Sequence, residues 1–282
     1  MLLEPRLPPE LQRLIFEMAA RTHPSSMLDL LLVARRVKEW LQPLAHSVVF
    51  CPTQYLEQED LHKKTCGYPH VYISRHAPPE LPPHLRSSAR HLWLINNSPE
   101  HTTLALSCPL LESIVCAGPH AKQLLALTNP PPLKRLACNL RRLFDPVDFT
   151  HPIFARLTHL DMWDFEFGSE EEWSGLASIP NLTHLAFSVI QFLPLLPKVL
   201  HTCASLRVLL MLVAPHPEGT RLVADPDLAA DPRFVWMRRR EHVEDWHLGV
   251  LTGVDFWSRA EDWVDRRRLG EGLRFYIDED NT

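Results

Sequence analysis

Glycine is scarce, at nine in 282 residues. Loops that cradle phosphate need glycines at fixed spacing, and neither G-x-G-x-x-G nor G-x-x-x-x-G-K occurs. The six cysteines, Cys51, Cys66, Cys108, Cys116, Cys138 and Cys203, form no C-x-x-C pair, which argues against a zinc ribbon or a redox motif. No apolar run has the length of a membrane span. The longest candidate, Ser188 to Leu200, is interrupted by Pro194, Pro197 and Lys198. The first twenty residues carry acids and prolines where a signal sequence would have its apolar core, so reduced, buried thiols in the cytoplasm or nucleus are expected. Positive charge is not in excess either. The formal net charge is -5, and acids flank both basic triplets, Arg238 to Arg240 and Arg266 to Arg268. Solvated helical faces are therefore expected, with neither nucleic acid nor membrane as partner.

Catalytic motifs are missing as well. The sixteen histidines include His159 beside Asp161, and His242 and His247 around Glu244 and Asp245, but none has a spacing such as H-E-x-x-H. No G-x-S-x-G elbow is present. No catalytic residue, cofactor or metal is expected, and the chain reads as a non-enzyme.

What the chain does have is apolar mass, proline and a period. Apolar residues make up 45% and charged residues 22%, enough for a sizeable core. The 26 prolines predict short elements with sharp joins. A loose L-x-x-L-x-L template recurs: Ala89, Leu92, Leu94; Leu111, Ile114, Cys116; Leu133, Leu136, Cys138; Leu157, Leu160, Met162; Leu182, Leu185, Phe187; Leu206, Leu209, Met211. Its central positions 92, 114, 136, 160, 185 and 209 lie 22 to 25 residues apart. Segments such as LTHLDMW and LTHLAFS alternate with the period of a strand. Val48 to Phe50, Val71 to Ile73 and Phe234 to Met237 fit the same beat. One such unit cannot bury its apolar side, so units must stack.

In period this resembles leucine-rich repeats. The family's Asn or Cys after the strand stands only at Asn97; Pro119, Arg141, Phe165, Ile190 and Ala214 occupy the matching places. An irregular solenoid is expected, with its turns satisfied by other means. Stacking in register places His91, Ser113, Arg135, His159, His184 and Val208 in one row of the open sheet face. Trp93, Val115, Ala137, Asp161, Ala186 and Leu210 form a second row, and Ile95, Ala117, Asn139, Trp163, Ser188 and Leu212 a third. Aromatic and Arg side chains dominate interface energetics, so Trp93, Arg135, His159, Asp161, Trp163 and His184 are the candidate partner-binding residues, for a protein substrate not specified by the sequence.

The opening segment LPPELQRLIFEMAA places Leu11, Leu14, Ile15 and Met18 at amphipathic helix spacing after prolines suited to a first turn. Ser26 with Asp29 predicts a capping box opening a second helix, MLDLLLVARRVKEWLQPL, which stops near Pro43. This stretch resembles the F-box. The motif's Leu-Pro-x-Glu-Leu start is matched by Leu7, Pro8, Glu10 and Leu11. Its Ile-Phe pair is matched by Ile15 and Phe16, and its later Leu-x-x-Val segment by Leu30, Val33, Ala34 and Arg35. At the family's Trp, four residues beyond that Val, stands Val37; Trp40 follows one turn later. Together the two likenesses resemble divergent F-box-like proteins with degenerate leucine-rich repeats, a type common in fungi.

The resemblance implies that Leu7, Pro8, Glu10, Leu11, Ile15, Phe16, Leu30 and Val33 bind a Skp-type adaptor linked to a cullin–RING ubiquitin ligase, with the chain as substrate receptor. The other reading is an interaction scaffold whose first helices only cap the solenoid. The expected fold class is α/β: an F-box-like helical module over residues 1–45, a leucine-rich-repeat-like solenoid over 46–250, and a C-terminal helical cap and tail over 251–282. In the cap, Val254, Trp257 and Val264 are expected on one helix face ending before Gly270, with a frayed DEDNT tail.

Overall fold

The structure is a computed structural model. It describes residues 7–51, 68–73, 81–95, 99, 104–105, 107–118, 120–126, 130–165, 169–213, 226–238 and 241–277. Cys66, Asn97, Pro119, Ala214, Arg239, Arg240 and the last five residues lie outside these.

The fold is α/β, built on one sheet of ten parallel strands. These are β1 (Val48–Cys51), β2 (Val71–Tyr72), β3 (His91–Ile95), β4 (Ser113–Ala117), β5 (Arg135–Cys138), β6 (His159–Met162), β7 (His184–Phe187), β8 (Val208–Leu212), β9 (Phe234–Met237) and β10 (Tyr276–Ile277). Their spatial order is β10-β9-β8-β7-β6-β5-β4-β3-β1-β2, so only β2 departs from chain order. The register joins His91, Ser113, Arg135, His159, His184 and Val208 as successive partners. It does the same for Trp93, Val115, Ala137, Asp161, Ala186 and Leu210. Both rows stand as the alternation predicts.

On the first sheet face Leu92, Leu94, Ile114, Leu136, Leu160, Leu185, Leu209 and Met211 share one core with the returning segments. Phe144, Phe149, Phe154, Trp173 and Phe192 seal it from those returns, with the Trp173 and Phe192 rings 5.3 Å apart. Each such side chain contributes roughly 1.5 to 3 kcal/mol through burial. The returns are short helices and 3₁₀ segments, in keeping with the proline content: α4 (Pro83–Arg86), α5 (Leu140–Leu143), α6 (Glu170–Trp173), α7 (Leu196–Thr202) and α8 (Pro226–Ala230). Where the family's Asn or Cys is missing, Asp164 supplies acceptors. Its buried carboxylate takes the amides of Leu140 and Arg141, each at 2.9 Å. The cysteines among the described residues are buried, and burial pushes the Cys116 thiol up to about 12.

At the N-terminal side, α1 (Pro9–Thr22), α2 (Met27–Leu30) and α3 (Arg35–Ala45) pack on one another. The single second helix expected from Met27 is in fact two. Ala34 is extended at φ -162°, ψ 155°, and Ser26 makes no side-chain cap.

The C-terminal segment also departs from expectation. It forms α9 (His242–Thr252) and α10 (Phe256–Arg268), and both lie on the second sheet face instead of closing one end. Gly253, at φ 82°, ends α9 in the left-handed conformation, and Asp255 with Ser258 forms a capping box that starts α10. Val254 therefore sits exposed in the joint, while Trp257 and Val264 are buried. The second basic triplet is only partly a solvated face. Arg267 donates to the carbonyls of Ala229, Asp231, Pro232 and Phe234, holding α8 and β9 to α10. Among the described residues no helix is long and apolar enough to cross a membrane.

Candidate functional site

Helix α1 is amphipathic. Its apolar stripe, Leu11, Leu14, Ile15 and Met18, faces solvent, with Leu14 and Met18 each 60% exposed. Leu7 precedes the stripe, and Leu28, Leu32 and Val33 are exposed near the α2–α3 joint, Leu32 at 84%. The module's own core takes other residues: Ala20, Met27, Val37, Leu41 and Ala45, with Phe16, Leu30 and Trp40 half-buried against them. Of the residues matched to the F-box motif, Leu7, Pro8, Glu10, Leu11, Ile15 and Val33 are exposed, and Phe16 and Leu30 contribute inward. Val37 fills the core where the family has Trp. Trp40 instead meets Phe16, with ring centroids 6.4 Å apart. The periodicity located the stripe but not its direction. Leu28 and Leu32 carry no motif and were recognisable only once their neighbours were placed. Soluble proteins seldom leave so many large apolar side chains together in water without a partner for them.

The second sheet face differs from its expected state. Trp93, 3% exposed, lies under Trp246, with centroids 5.2 Å apart, in a cluster with Phe50, Val115, Ala137 and Leu251. Arg135 is held by Asp255 at 2.6 Å, and Asp255 is also the cap of α10. Asp161, 2% exposed, accepts from Trp163 Nε1 at 2.7 Å. His159 and His184 stack at 4.1 Å, with their planes 8° apart, beneath the edge of Trp257. The partner-binding set is thus brought together by the register, but α9 and α10 cover most of it and leave Trp163 half-buried. The reason is compositional: Trp246, Phe256, Trp257 and Trp263 give those helices an apolar area that only this face can bury.

The repeated Thr-His pairs explain the two stacked rings. The Thr158 hydroxyl donates to the Lys134 carbonyl at 3.0 Å and so accepts from His159 Nδ1 at 2.8 Å. Thr183 does the same between the Thr158 carbonyl, at 3.2 Å, and His184 Nδ1, at 2.8 Å. This network assigns the Nδ1–H tautomer to both rings. His184 Nε2 then lacks a donor and faces Glu261 Oε1 at 3.7 Å. Burial pushes His159 down to about 2, His184 to about 4, and His91 and His247 to about 3. These four rings are neutral imidazole at pH 7.

One part of that face stays open. At the C-terminal ends of β3 to β7, a cavity of about 470 Å³ is lined by Trp93, Trp163, Phe165, Arg142, Asn139 and His242 among others. Asn139 caps α5 by accepting from the Arg142 amide at 2.8 Å. Phe165 follows the anchored Asp164 and is 71% exposed. Among the described residues no group of His, Cys, Asp and Glu is arranged to hold a metal ion. Compared with known proteins, the chain matches no family model, and no curated protein matches it significantly.

Proposed function

We propose that the chain is a substrate receptor of a Skp–cullin–F-box ubiquitin ligase, acting in the cytoplasm or nucleus. In this reading α1 to α3 dock the Skp-type adaptor, and the strand-and-return units form an irregular leucine-rich-repeat-like solenoid that holds a protein substrate. The carrying observation is the outward stripe Leu11, Leu14, Ile15 and Met18, continued by Leu7, Leu28, Leu32 and Val33. A helix serving only as a cap would turn such a stripe inward. The sequential parallel strands at 22 to 25 residue spacing support the solenoid part.

The test is capture of a purified Skp-type adaptor by the full chain, with a melting curve for each variant. Replacing Leu11 and Ile15 by Asp removes two exposed anchors. Capture should weaken by roughly 30-fold or more, about 2 kcal/mol, while the melting temperature holds. A folded wild-type chain that captures no adaptor refutes the ligase reading and leaves the scaffold.

A further inference from the structure

The cavity at the strand ends carries one charge that the fold does not use. Arg142 is exposed on its rim and has no ion-pair partner among the described residues; the neighbouring Arg141 pairs with Glu172 at 3.1 Å. The Asp161 carboxylate behind the rim is occupied by Trp163 Nε1 and by the Ser188 hydroxyl at 3.4 Å. That bond also fixes the Trp163 ring, whose edge meets His242 at 4.7 Å between centroids. Phe165 stands out at the rim, anchored through Asp164. The site therefore offers a preset aromatic wall, a backbone support at α5 capped by Asp164 and Asn139, and a cation that is unpaired among the described residues.

We infer that this cavity receives an apolar side chain of a partner polypeptide whose flanking residues are acidic. The inference rests on the receptor reading and names its substrate class. The aromatic wall takes the side chain, and Arg142 takes a neighbouring carboxylate as a charge-assisted, two-point hydrogen bond. A volume of about 470 Å³ accommodates one large side chain with its backbone, not a folded domain. Basic flanks would meet Arg142 with like charge, which gives the site its discrimination.

The experiment uses the full chain against a peptide array in which Leu, Ile, Met, Phe and Trp are each flanked by two Glu, two Lys or two Ser on either side. Glu-flanked spots should retain at least tenfold more chain than Lys-flanked ones. Arg142→Glu should reverse that order, and Phe165→Ser should reduce retention on every spot. Both positions are exposed, so the melting temperature should not move, and adaptor capture should be unchanged. Equal retention on Glu and Lys flanks, or no retention at all, overturns the inference. Retention with the expected charge order, in a chain that captures no adaptor, overturns the ligase reading and leaves this site standing.

Discussion

Lowering the pH should unlock this protein well above the range where carboxylates titrate. His91, His159, His184 and His247 are held neutral by burial, with values of about 3, 2, 4 and 3 against 6.5 for the free side chain. The unfolded chain thus binds more protons than the folded one at every pH between 6.5 and these values. Stability falls with pH through that window. At pH 5 each histidine costs about 2 kcal/mol, so the four together cost about 8 kcal/mol. That equals much of a domain's usual 5 to 15 kcal/mol. Burial raises Asp164, so its protonation works in the opposite direction, while Glu112 and Asp231, held low chiefly by Arg and Lys partners against the pull of burial, lose their contribution only at lower pH. Urea titrations at pH 7.5, 6.5, 5.5 and 5.0 read the slope directly. His184→Gln should remove about a quarter of it. A stability that stays flat from pH 7.5 to 5, or a slope untouched by that substitution, would refute the buried-imidazole account.

Three further outcomes are expected from urea titration and melting curves. Leu160→Ala opens a cavity in the first-face core and should cost about 2 to 5 kcal/mol. Asp161→Ala, one residue on, should cost about 1 to 3 kcal/mol because it removes a buried carboxylate that holds the half-buried Trp163 indole N–H; a negligible cost would mean that the bond is absent in solution. Gly249→Ala sets a methyl group against the Asp255 side chain, which caps α10 and holds Arg135. It should cost about 1 to 3 kcal/mol, and an unchanged melting temperature would show that α9 and α10 do not approach as closely as described.

The sheet was legible because alternation and spacing are local signals. Leu92, Ile114, Leu136, Leu160, Leu185 and Leu209 repeat at a near-constant interval, and a parallel stack leaves them only one register. The cover of the second face was not legible in the same way. Nothing near Trp93 or His159 indicates that Trp246 or Trp257 will lie against them, since those contacts join residues more than 90 positions apart. Trp257 was visible on an apolar helix face, but where that face would dock depends on which side of the sheet the returns leave bare. The α2–α3 break was hidden because Leu31 to Val33 are ordinary helix formers, and only packing turns Ala34 extended. The direction of the α1 stripe failed for a related reason: periodicity finds a face and is silent on whether the chain or a partner covers it.

The position of α9 and α10 in the chain has a consequence for biosynthesis. A row of strands that grows one neighbour at a time can assemble as it leaves the ribosome, because every new strand finds its mate already in place. The aromatic side of that row cannot be finished in step. Phe50 and Trp93 wait for Trp246, about 200 and 150 residues later in the chain, and Ala186 and Leu210 wait for Trp257. Until then the nascent sheet carries a bare apolar flank that invites chaperones and misassociation. A stop codon before residue 242 would leave that flank permanently uncovered, so early termination is more hazardous for this fold than the loss of a few terminal residues.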